Sequence, residues 1–433
     1  MPTNERSLYV IAAECFDFRY SGLAEFEGLV KAVAERSDEA TTHWTRAKLI
    51  VPAYAQISCA PHRQTMPIDA SAVTAKCNRI TRFENSALIW HQFGRHVHDF
   101  IAADAKGTVD VIGVDWPSAG ALQQLKADIN INARVCLAVD LVPQANTESY
   151  RLWQVGLQIA DVVQCASSGW WSHLACSHQA ARAAASKVAI VPYGVSNADA
   201  TQISPENKRE AKTTVLKKHE GSQSLSTMVA IARHRLTEDD QKNYESMVYV
   251  LKQLFKETAT DADRPSVFVL GPYSPCTGER ARNIRDQLES LRSRFPSCLM
   301  VEPPDLPHRI PWKTLLAAAD LQLVPSRYEP WGVNTIEGMQ FGVVPCASNS
   351  GCMQEEVFVP RKNCYRFDWD DDQPIESQTR LLEALRTAVD TYFDAPNQWH
   401  EIRKQTMVAA ETFRWDALLD RYAAMFSDTA QPR

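Results

Sequence analysis

Short apolar segments rich in β-branched residues alternate with helix-period segments along almost the whole chain, and this alternation constrains the fold more than any other feature. Residues 8–13 (LYVIAA) predict a strand, and residues 23–35 place Phe26, Leu29 and Val33 on one face of a helix. Further strands are predicted at KLIVPAY, VDVIGV, RVCLAV, DVVQCA and KVAIVPYG. Because these segments are apolar on both faces, they are typical of a parallel sheet covered by helices, and the series predicts an α/β fold.

A polar stretch divides this series in two. Residues 199–226 are rich in Asn, Lys, Glu and Ser and predict a linker between domain 1–198 and domain 227–408. The second series has strands near 227–232, 266–272, 298–304, 320–326 and 343–348. We therefore predict two doubly wound, Rossmann-like domains that face a central cleft, with ligands beyond the carboxyl ends of the strands.

The net charge and the absence of two glycine-rich motifs argue against several classes of protein. The chain has 433 residues, 45% of them apolar, and a net charge of −6, which argues against nucleic acid as the main partner. Neither a G-x-G-x-x-G nor a G-x-x-x-x-G-K-[ST] motif occurs, which disfavours a dinucleotide-dependent oxidoreductase and a P-loop NTPase.

The N-terminal sequence and the cysteines predict a compartment. The start of the chain lacks the pattern of a signal peptide, and no apolar run approaches the roughly 18 residues of a membrane span. Eleven cysteines without a C-x-x-C pair are interpreted as reduced, buried thiols. We expect a cytoplasmic protein without a transmembrane segment, and the sequence does not indicate its oligomeric state.

One segment, PSRYEPWGVNTIEGMQFGVVP at 325–345, combines a strand end, a loop and a helix start around two glutamates. Eight positions separate Glu329 from Glu337, about 12 Å if all were helical, whereas a hydrolytic carboxylate pair needs about 5–9.5 Å. The amides of a helix start after Gly332 suit a phosphate or diphosphate group. The spacing favours two contacts on one elongated ligand, and the alternative is a solvated loop residue followed by an ordinary surface glutamate. The amide donors expected at this helix start are those of Gly332, Val333, Asn334 and Thr335.

This ordered run, P-S-R-Y-E-P-W-G, E-G-M, G-x-V-P and S-G, resembles the donor-site signature of retaining GT-B glycosyltransferases. Its first part is similar to glycogen and starch synthases, and Glu337-Gly338-Met339 is similar to the wider group that includes sucrose synthase-type enzymes. The resemblance implies that Glu329 contacts the transferred sugar and that Glu337 binds the nucleotide ribose.

Two further segments resemble the parts of this family that bind the donor diphosphate. In AIARHRLTEDDQKNYE, Arg235 and Lys242 match a cationic pair that neutralises the leaving group, and Arg233 is a weaker candidate. The alternative is a polar loop with solvated cations. In VIAAECFDFRYSGLAEF, Arg19 stands in place of a family Lys, and Ser21-Gly22 stands at a helix start; a helix cap with a surface Arg is the alternative.

The first domain departs from the family at one position. VIGVDWPSAG resembles an H-D-W segment that retains Asp115 and Trp116, and RVCLAVDLVPQ places Val139-Asp140 where the family has a histidine beside the transferred sugar. We assign Asp115 a catalytic role on the acceptor side. The acceptor-side residues are Asp17, Trp116 and Asp140. A closing helix within 409–433, FRWDALLDRYAAMF, resembles the family helix that packs back on the first domain.

The resemblance implies transfer of a hexosyl unit, with retention, from a nucleotide diphosphate sugar to a hydroxyl of a carbohydrate or small-molecule acceptor. No metal or other cofactor is expected, because cations and helix ends can neutralise the diphosphate. Two alternatives stay open at this point: a pseudo-glycosyltransferase that binds a nucleotide sugar without transferring it, motivated by the absent histidine, and a nucleotide-sugar epimerase. The histidines of WHQFGRHVHD lack metal-site spacing, and Trp170 and Trp171 are interpreted as packing at a helix start.

Overall fold

The protein is described here from a computed structural model. It describes residues 6–12, 21–36, 43–52, 63–66, 87–140, 142–143, 145–195, 207–208, 210–213, 229–233, 242–260, 266–270, 279–296, 299–301, 312–355 and 357–427. The chain divides into two compact units, residues 1–196 with 413–433, and residues 197–412.

The first unit contains a seven-stranded parallel sheet in the order β3-β2-β1-β4-β5-β6-β7. The chain reverses direction across the sheet between β1 and β4, and such a switch point is where doubly wound sheets bind ligands. The strands are β1 Arg6–Ala12, β2 Arg46–Pro52, β3 Arg63–Met66, β4 Thr108–Val114, β5 Ala133–Val139, β6 Val162–Cys165 and β7 Val188–Ile190. The helices are α1 Ser21–Arg36, α2 Ala87–Asp104, α3 Ala119–Ala127, α4 Glu148–Ile159, α5 Ser168–Ser177 and α6 Gln179–Ala183.

The second unit repeats this plan with six parallel strands in the order β10-β9-β8-β11-β12-β13. Its switch point lies between β8 and β11. The strands are β8 Val229–Arg233, β9 Ser266–Leu270, β10 Leu299–Val301, β11 Leu321–Val324, β12 Val344–Ser348 and β13 Tyr365–Phe367. The helices are α7 Tyr244–Thr260, α8 Glu279–Arg294, α9 Trp312–Ala318, α10 Val333–Gln340, α11 Pro374–Asp394 and α12 Pro396–Glu411. The predicted α/β fold with two doubly wound, Rossmann-like domains is confirmed.

The final helix, α13 Trp415–Met425, belongs to the first unit. Tyr422 is fully buried and its hydroxyl donates to the carbonyl of Pro192 at 3.1 Å. Gly28 of α1 faces the indole of Trp415 so closely that a Cβ there would come within 2.2 Å of it. A glycine is therefore needed where α1 and α13 meet.

Part of the predicted linker is folded onto the second unit. Residues 207–208 and 210–213 are helical, and Lys208 and Lys212 are buried. Nζ of Lys212 lies 2.5 Å from Oδ2 of Asp320, just before β11, and Nζ of Lys208 lies 3.6 Å from Oδ1. Such buried charges persist only when paired, so this segment is fixed to the amino edge of the second sheet.

Among the described helices, none combines the length and the apolar composition needed to cross a membrane.

Candidate functional site

The main candidate site lies at the switch point of the second sheet, around Glu329. This residue follows β11 on a loop and is only 8% exposed. Its carboxylate accepts hydrogen bonds from Nζ of Lys242 at 2.9 and 3.1 Å and from Oγ of Ser326 at 3.0 Å. Because a buried carboxylate is costly unless it is paired, these contacts fix the orientation of Glu329.

Lys242 lies two residues before the start of α7, where a cation opposes the helix dipole unless an anion lies beside it. The carboxylate of Glu329 provides that anion, and 25% of the Lys242 side chain is exposed. Asn243 supports the arrangement from the next position: it is buried, adopts a left-handed φ of 52°, and donates its Nδ2 to the carbonyl of Pro325 at 3.0 Å. Two predicted site residues, Lys242 and Glu329, are thus in direct contact.

The loop between Glu329 and α10 owes its shape to two glycines. Gly332 precedes the helix with a φ of 70°, a backbone conformation that glycine adopts without a steric penalty. Gly351 has a φ of 55°, and a Cβ there would lie 2.0 Å from the carbonyl oxygen of Glu329. The amide of Cys352 donates to that same oxygen at 2.9 Å. The segment after β12 therefore holds the backbone of Glu329 in place.

The start of α10 differs in one respect from the expectation. The amide of Thr335 already donates to the carbonyl of Gly332 at 2.8 Å, so the prediction that its N–H is open is wrong. The cause is a tight first turn, in which an i to i+3 bond forms. Among the described residues, no acceptor contacts the amides of Val333 and Asn334. These two are the donors that α10 offers to an anion.

Glu337 lies one turn into α10 and is half-buried. The glycine after it has a packing reason: a Cβ on Gly338 would lie 2.3 Å from Oε1 of Gln322 on β11. Gln322 in turn donates its Nε2 to the carbonyl of Asn334 at 3.0 Å. The glycine at 338 thus lets α10 approach the sheet closely, and this close approach sets the position of Glu337.

The first unit carries a second cluster at its own switch point. Asp115 follows β4, is 1% exposed, and has a φ of 54°, which is strained for a residue other than glycine. Its Oδ1 accepts the backbone N–H of Asp140, after β5, at 2.8 Å. Trp116 packs edge-on against Trp90 with ring centroids 5.8 Å apart. The position where a histidine was expected therefore supplies a backbone amide to Asp115.

Several predicted site residues are not described in full. Asp17, Arg19 and Arg235 lie outside the described residues, and only the backbone of Ser21, Gly22 and Arg233 is described. The backbone shows that α1 begins at Ser21 and that β8 ends at Arg233.

Sequence reasoning missed the residues that support Glu329 from behind. Ser326 and Asn243 are small polar residues whose partners are 3 and 82 positions away, respectively. Ser348 also belongs to this group, since its Oγ donates to the carbonyl of Ser326 and lies 2.8 Å from Oγ of Ser350. A polar residue at the end of an apolar strand, or just beyond it, is the signal that could have identified Ser326 and Ser348.

The histidines of α2 make ordinary polar contacts. His98 lies 3.0 Å from carboxylate oxygens of both Asp99 and Asp128. Hydrogen bonding to Asp99 raises the pKa of His98 above its usual value. Within the described part of the chain, no group of three or more His, Cys, Asp or Glu side chains could hold a metal ion.

Comparison with known proteins finds a family match within the second unit. Residues 305–393, which contain Glu329 and α10, match the family described as Glycosyl transferases group 1. Glycogen synthase from Marinomonas sp. (strain MWYL1) is 25% identical over 222 residues, 51% of this chain and 41% of that protein. Soluble starch synthase 1 from Oryza sativa subsp. indica is 32% identical over 116 residues, 26% of this chain and 18% of that protein. The matches thus span less than half the length of these curated relatives.

Solved structures share the fold over nearly the whole chain. The catalytic domain of starch synthase IV from Arabidopsis thaliana, bound to ADP and acarbose, has a TM-score of 0.72 at 15% identity and covers 98% of this chain and 99% of its own. Sucrose-phosphate synthase from Thermosynechococcus elongatus has a TM-score of 0.69 at 16% identity, covering 98% of each chain. The chain therefore has the GT-B fold.

Proposed function

We propose that the protein is a retaining glycosyltransferase that moves a hexosyl unit from a nucleotide diphosphate sugar to a hydroxyl of a carbohydrate or small-molecule acceptor. The contact between Lys242 and Glu329 carries this proposal. It joins a cation to a fixed carboxylate on the loop that leads into α10, whose first amides, those of Val333 and Asn334, are open, and this supports an anion site at the switch point of the second sheet. The cytoplasmic location is part of the proposal.

The positive groups are suited to the leaving diphosphate. As the bond between the anomeric carbon and the diphosphate oxygen breaks, negative charge develops on the nucleotide. Fixed cations and helix amides stabilise such charge strongly because they need no reorganisation. Lys242 and Arg235 take this role, assisted by α10, while Arg19, Ser21, Gly22 and Arg233 are proposed to bind the same donor. The proposal requires no metal and no other cofactor.

The carboxylates orient the donor. Glu329 is proposed to hold the hydroxyls of the transferred sugar, and Glu337 the ribose. Since Glu329 is already bonded to Lys242 and Ser326, it is held in one orientation before the donor binds. The acceptor oxygen attacks from the face that the diphosphate leaves, so configuration is retained and no protein nucleophile is needed.

In the first unit, Asp115 is proposed to act on the acceptor side, and Trp116, Asp140 and Asp17 are proposed to serve the same side. Its strained backbone and burial support this role, because strain of this kind concentrates at functional positions.

A donor panel tests the proposal. Purified protein is incubated with UDP-, ADP- and GDP-glucose, with and without acceptors, and released nucleotide and product configuration are measured. In parallel, thermal unfolding is followed with UDP, ADP and GDP, because a bound nucleotide raises the apparent stability according to its affinity. We expect turnover with one donor and α-linked product from an α-linked donor. Stabilisation by a nucleotide without turnover of any donor would contradict transfer and indicate a binding protein, and an epimerised sugar formed without acceptor would indicate an epimerase.

A further inference from the structure

An aromatic pair at the carboxyl edge of the first sheet has no part in the mechanism proposed above. Trp170, in the first turn of α5, donates its indole Nε1–H to the carbonyl of Val139 at 3.3 Å. Val139 ends β5, and the next residue, Asp140, donates its amide to Asp115. The indole and the carboxylate of Asp115 therefore bond to the two ends of the same peptide unit, the one that joins Val139 to Asp140.

The rings of this pair are nearly parallel, and the indole is held by its hydrogen bond to Val139. Trp170 and His173 have ring centroids 5.5 Å apart and an interplanar angle of 13°. The indole is half-buried and packs against the core of the first unit, whereas His173 is exposed. Oγ of Ser167 accepts the backbone N–H of Trp170 at 3.1 Å and caps the helix. Such a surface binds a ligand with little loss of conformational entropy, because its rings are already ordered.

Flat rings beside hydrogen-bonding groups suit a sugar ring. A pyranose presents a face of C–H groups that packs on aromatic rings, while its equatorial hydroxyls reach polar groups at the edge, such as the imidazole nitrogens. The carboxylate of Asp115, which accepts from the same peptide unit that the Trp170 indole bonds to, disfavours an anionic ligand such as a sugar phosphate, since like charges repel. The location and the charge together favour a neutral saccharide.

We propose that Trp170 and His173 form an acceptor subsite that binds a neutral pyranose ring of an oligosaccharide, next to the ring that receives the hexosyl unit. This inference rests on the proposed function, because it takes Asp115 to mark the acceptor side. Trp170 and His173 are residues that determine acceptor specificity, and neither touches the reacting atoms.

The test is direct saccharide binding, separate from turnover. Saturation-transfer NMR titrations use a panel of maltoheptaose, cellohexaose and laminarihexaose with the wild-type chain and with Trp170→Ala, His173→Ala and Trp171→Ala. Trp171, also half-buried on α5, is the matched control for loss of an indole. His173→Ala keeps the test valid if Trp170→Ala fails to fold, because His173 is exposed.

We expect at least one of these saccharides to bind and its affinity to fall by about tenfold in Trp170→Ala and His173→Ala, with little change in Trp171→Ala. Absence of binding by the wild-type chain, or equal affinities in all variants, would overturn the subsite. The thermal shift with UDP and ADP is measured on the same samples. If neither UDP nor ADP shifts the thermal unfolding of the wild-type chain, the result counts against the proposed function. If a shift is seen but saccharide binding is the same in all variants, the result counts against the subsite alone.

Discussion

Nζ of Lys242 lies 2.9 Å from Oε2 of Glu329, although the two residues are 87 positions apart in the sequence. The contact joins the segment just before α7, which follows β8, to the loop after β11. β8 and β11 are the two strands that flank the switch point of the second sheet. The contact places the cation proposed for the leaving group against the carboxylate proposed for the sugar. Each residue therefore orients the other before a donor binds.

We expect Lys242→Ala to lower kcat for sugar transfer by about 100- to 1,000-fold, since it removes a fixed cation from the leaving group and leaves Glu329 with one partner fewer. Lys242→Arg keeps the charge and should retain part of the activity. Lys252→Ala is the control, because Lys252 is exposed on the same helix. Steady-state kinetics with the preferred donor check this prediction, and a near-normal kcat in Lys242→Ala would remove the residue from the site.

Gly351→Ala should displace Glu329 without touching its side chain. A Cβ at this position would lie 2.0 Å from the Glu329 carbonyl, at a backbone φ of 55°. We expect transfer to fall by at least tenfold, with a midpoint of thermal unfolding a few degrees lower. The control is Gly107→Ala, an exposed glycine with a φ of 75° in the first unit, which introduces backbone strain away from the site. Equal losses of transfer in the two variants would show that strain alone, and not displacement of Glu329, is responsible.

The hydrogen bond from the backbone N–H of Asp140 to Asp115 allows the backbone role of Asp140 to be tested separately from the role of its side chain. Since the amide of Asp140 is the donor, Asp140→Ala keeps this hydrogen bond and should retain transfer within about tenfold. Asp140→Pro removes the N–H and Asp115→Asn removes the charge, and both should lower transfer by about 100-fold or more. Transfer rates of the three variants decide the matter. If Asp140→Ala were as inactive as Asp115→Asn, the Asp140 carboxylate itself would be required.

Most strands of both sheets could be predicted from the sequence, because they are apolar runs that periodicity distinguishes from the helices. The edge strands β3 (RQTM) and β13 (YRF) could not, because they are short and carry polar residues. Glu329 and Lys242 could also be named, since each lies in a loop between a strand and a helix. Their mutual contact could not, because it depends on two loops that meet only in the folded sheet. The bond from the Thr335 amide to Gly332 could not be predicted either, because local sequence does not show whether the first turn of a helix forms an i to i+3 hydrogen bond. Burial of Lys208 and Lys212 in a segment that reads as a linker depends on Asp320, more than 100 positions away, and has no local signal.

The cluster around Asp320 should make stability depend on pH. Burial lowers the pKa of Lys208 from 10.5 to about 7, an effect that the carboxylate of Asp320 only partly offsets. Burial also acts to lower the pKa of Lys212, but its shorter contact with Asp320 raises it overall. The two lysines therefore have opposite effects on the pH dependence of folding.

A lysine with a depressed pKa in the folded state releases its proton there while the unfolded chain keeps it, so stability rises as pH increases from about 7 towards 10.5. We expect Lys208→Met to remove part of this rise, which is measured as the difference between variant and wild-type midpoints of thermal unfolding from pH 7 to pH 9.5. Lys212→Met is the comparison variant: it breaks the 2.5 Å ion pair and lowers stability at every pH in this window. Because the charge of Lys212 helps to lower the pKa of Lys208, its loss should also flatten the rise. A Lys208→Met curve parallel to the wild-type curve would show that Lys208 stays protonated throughout this range, held by Asp320.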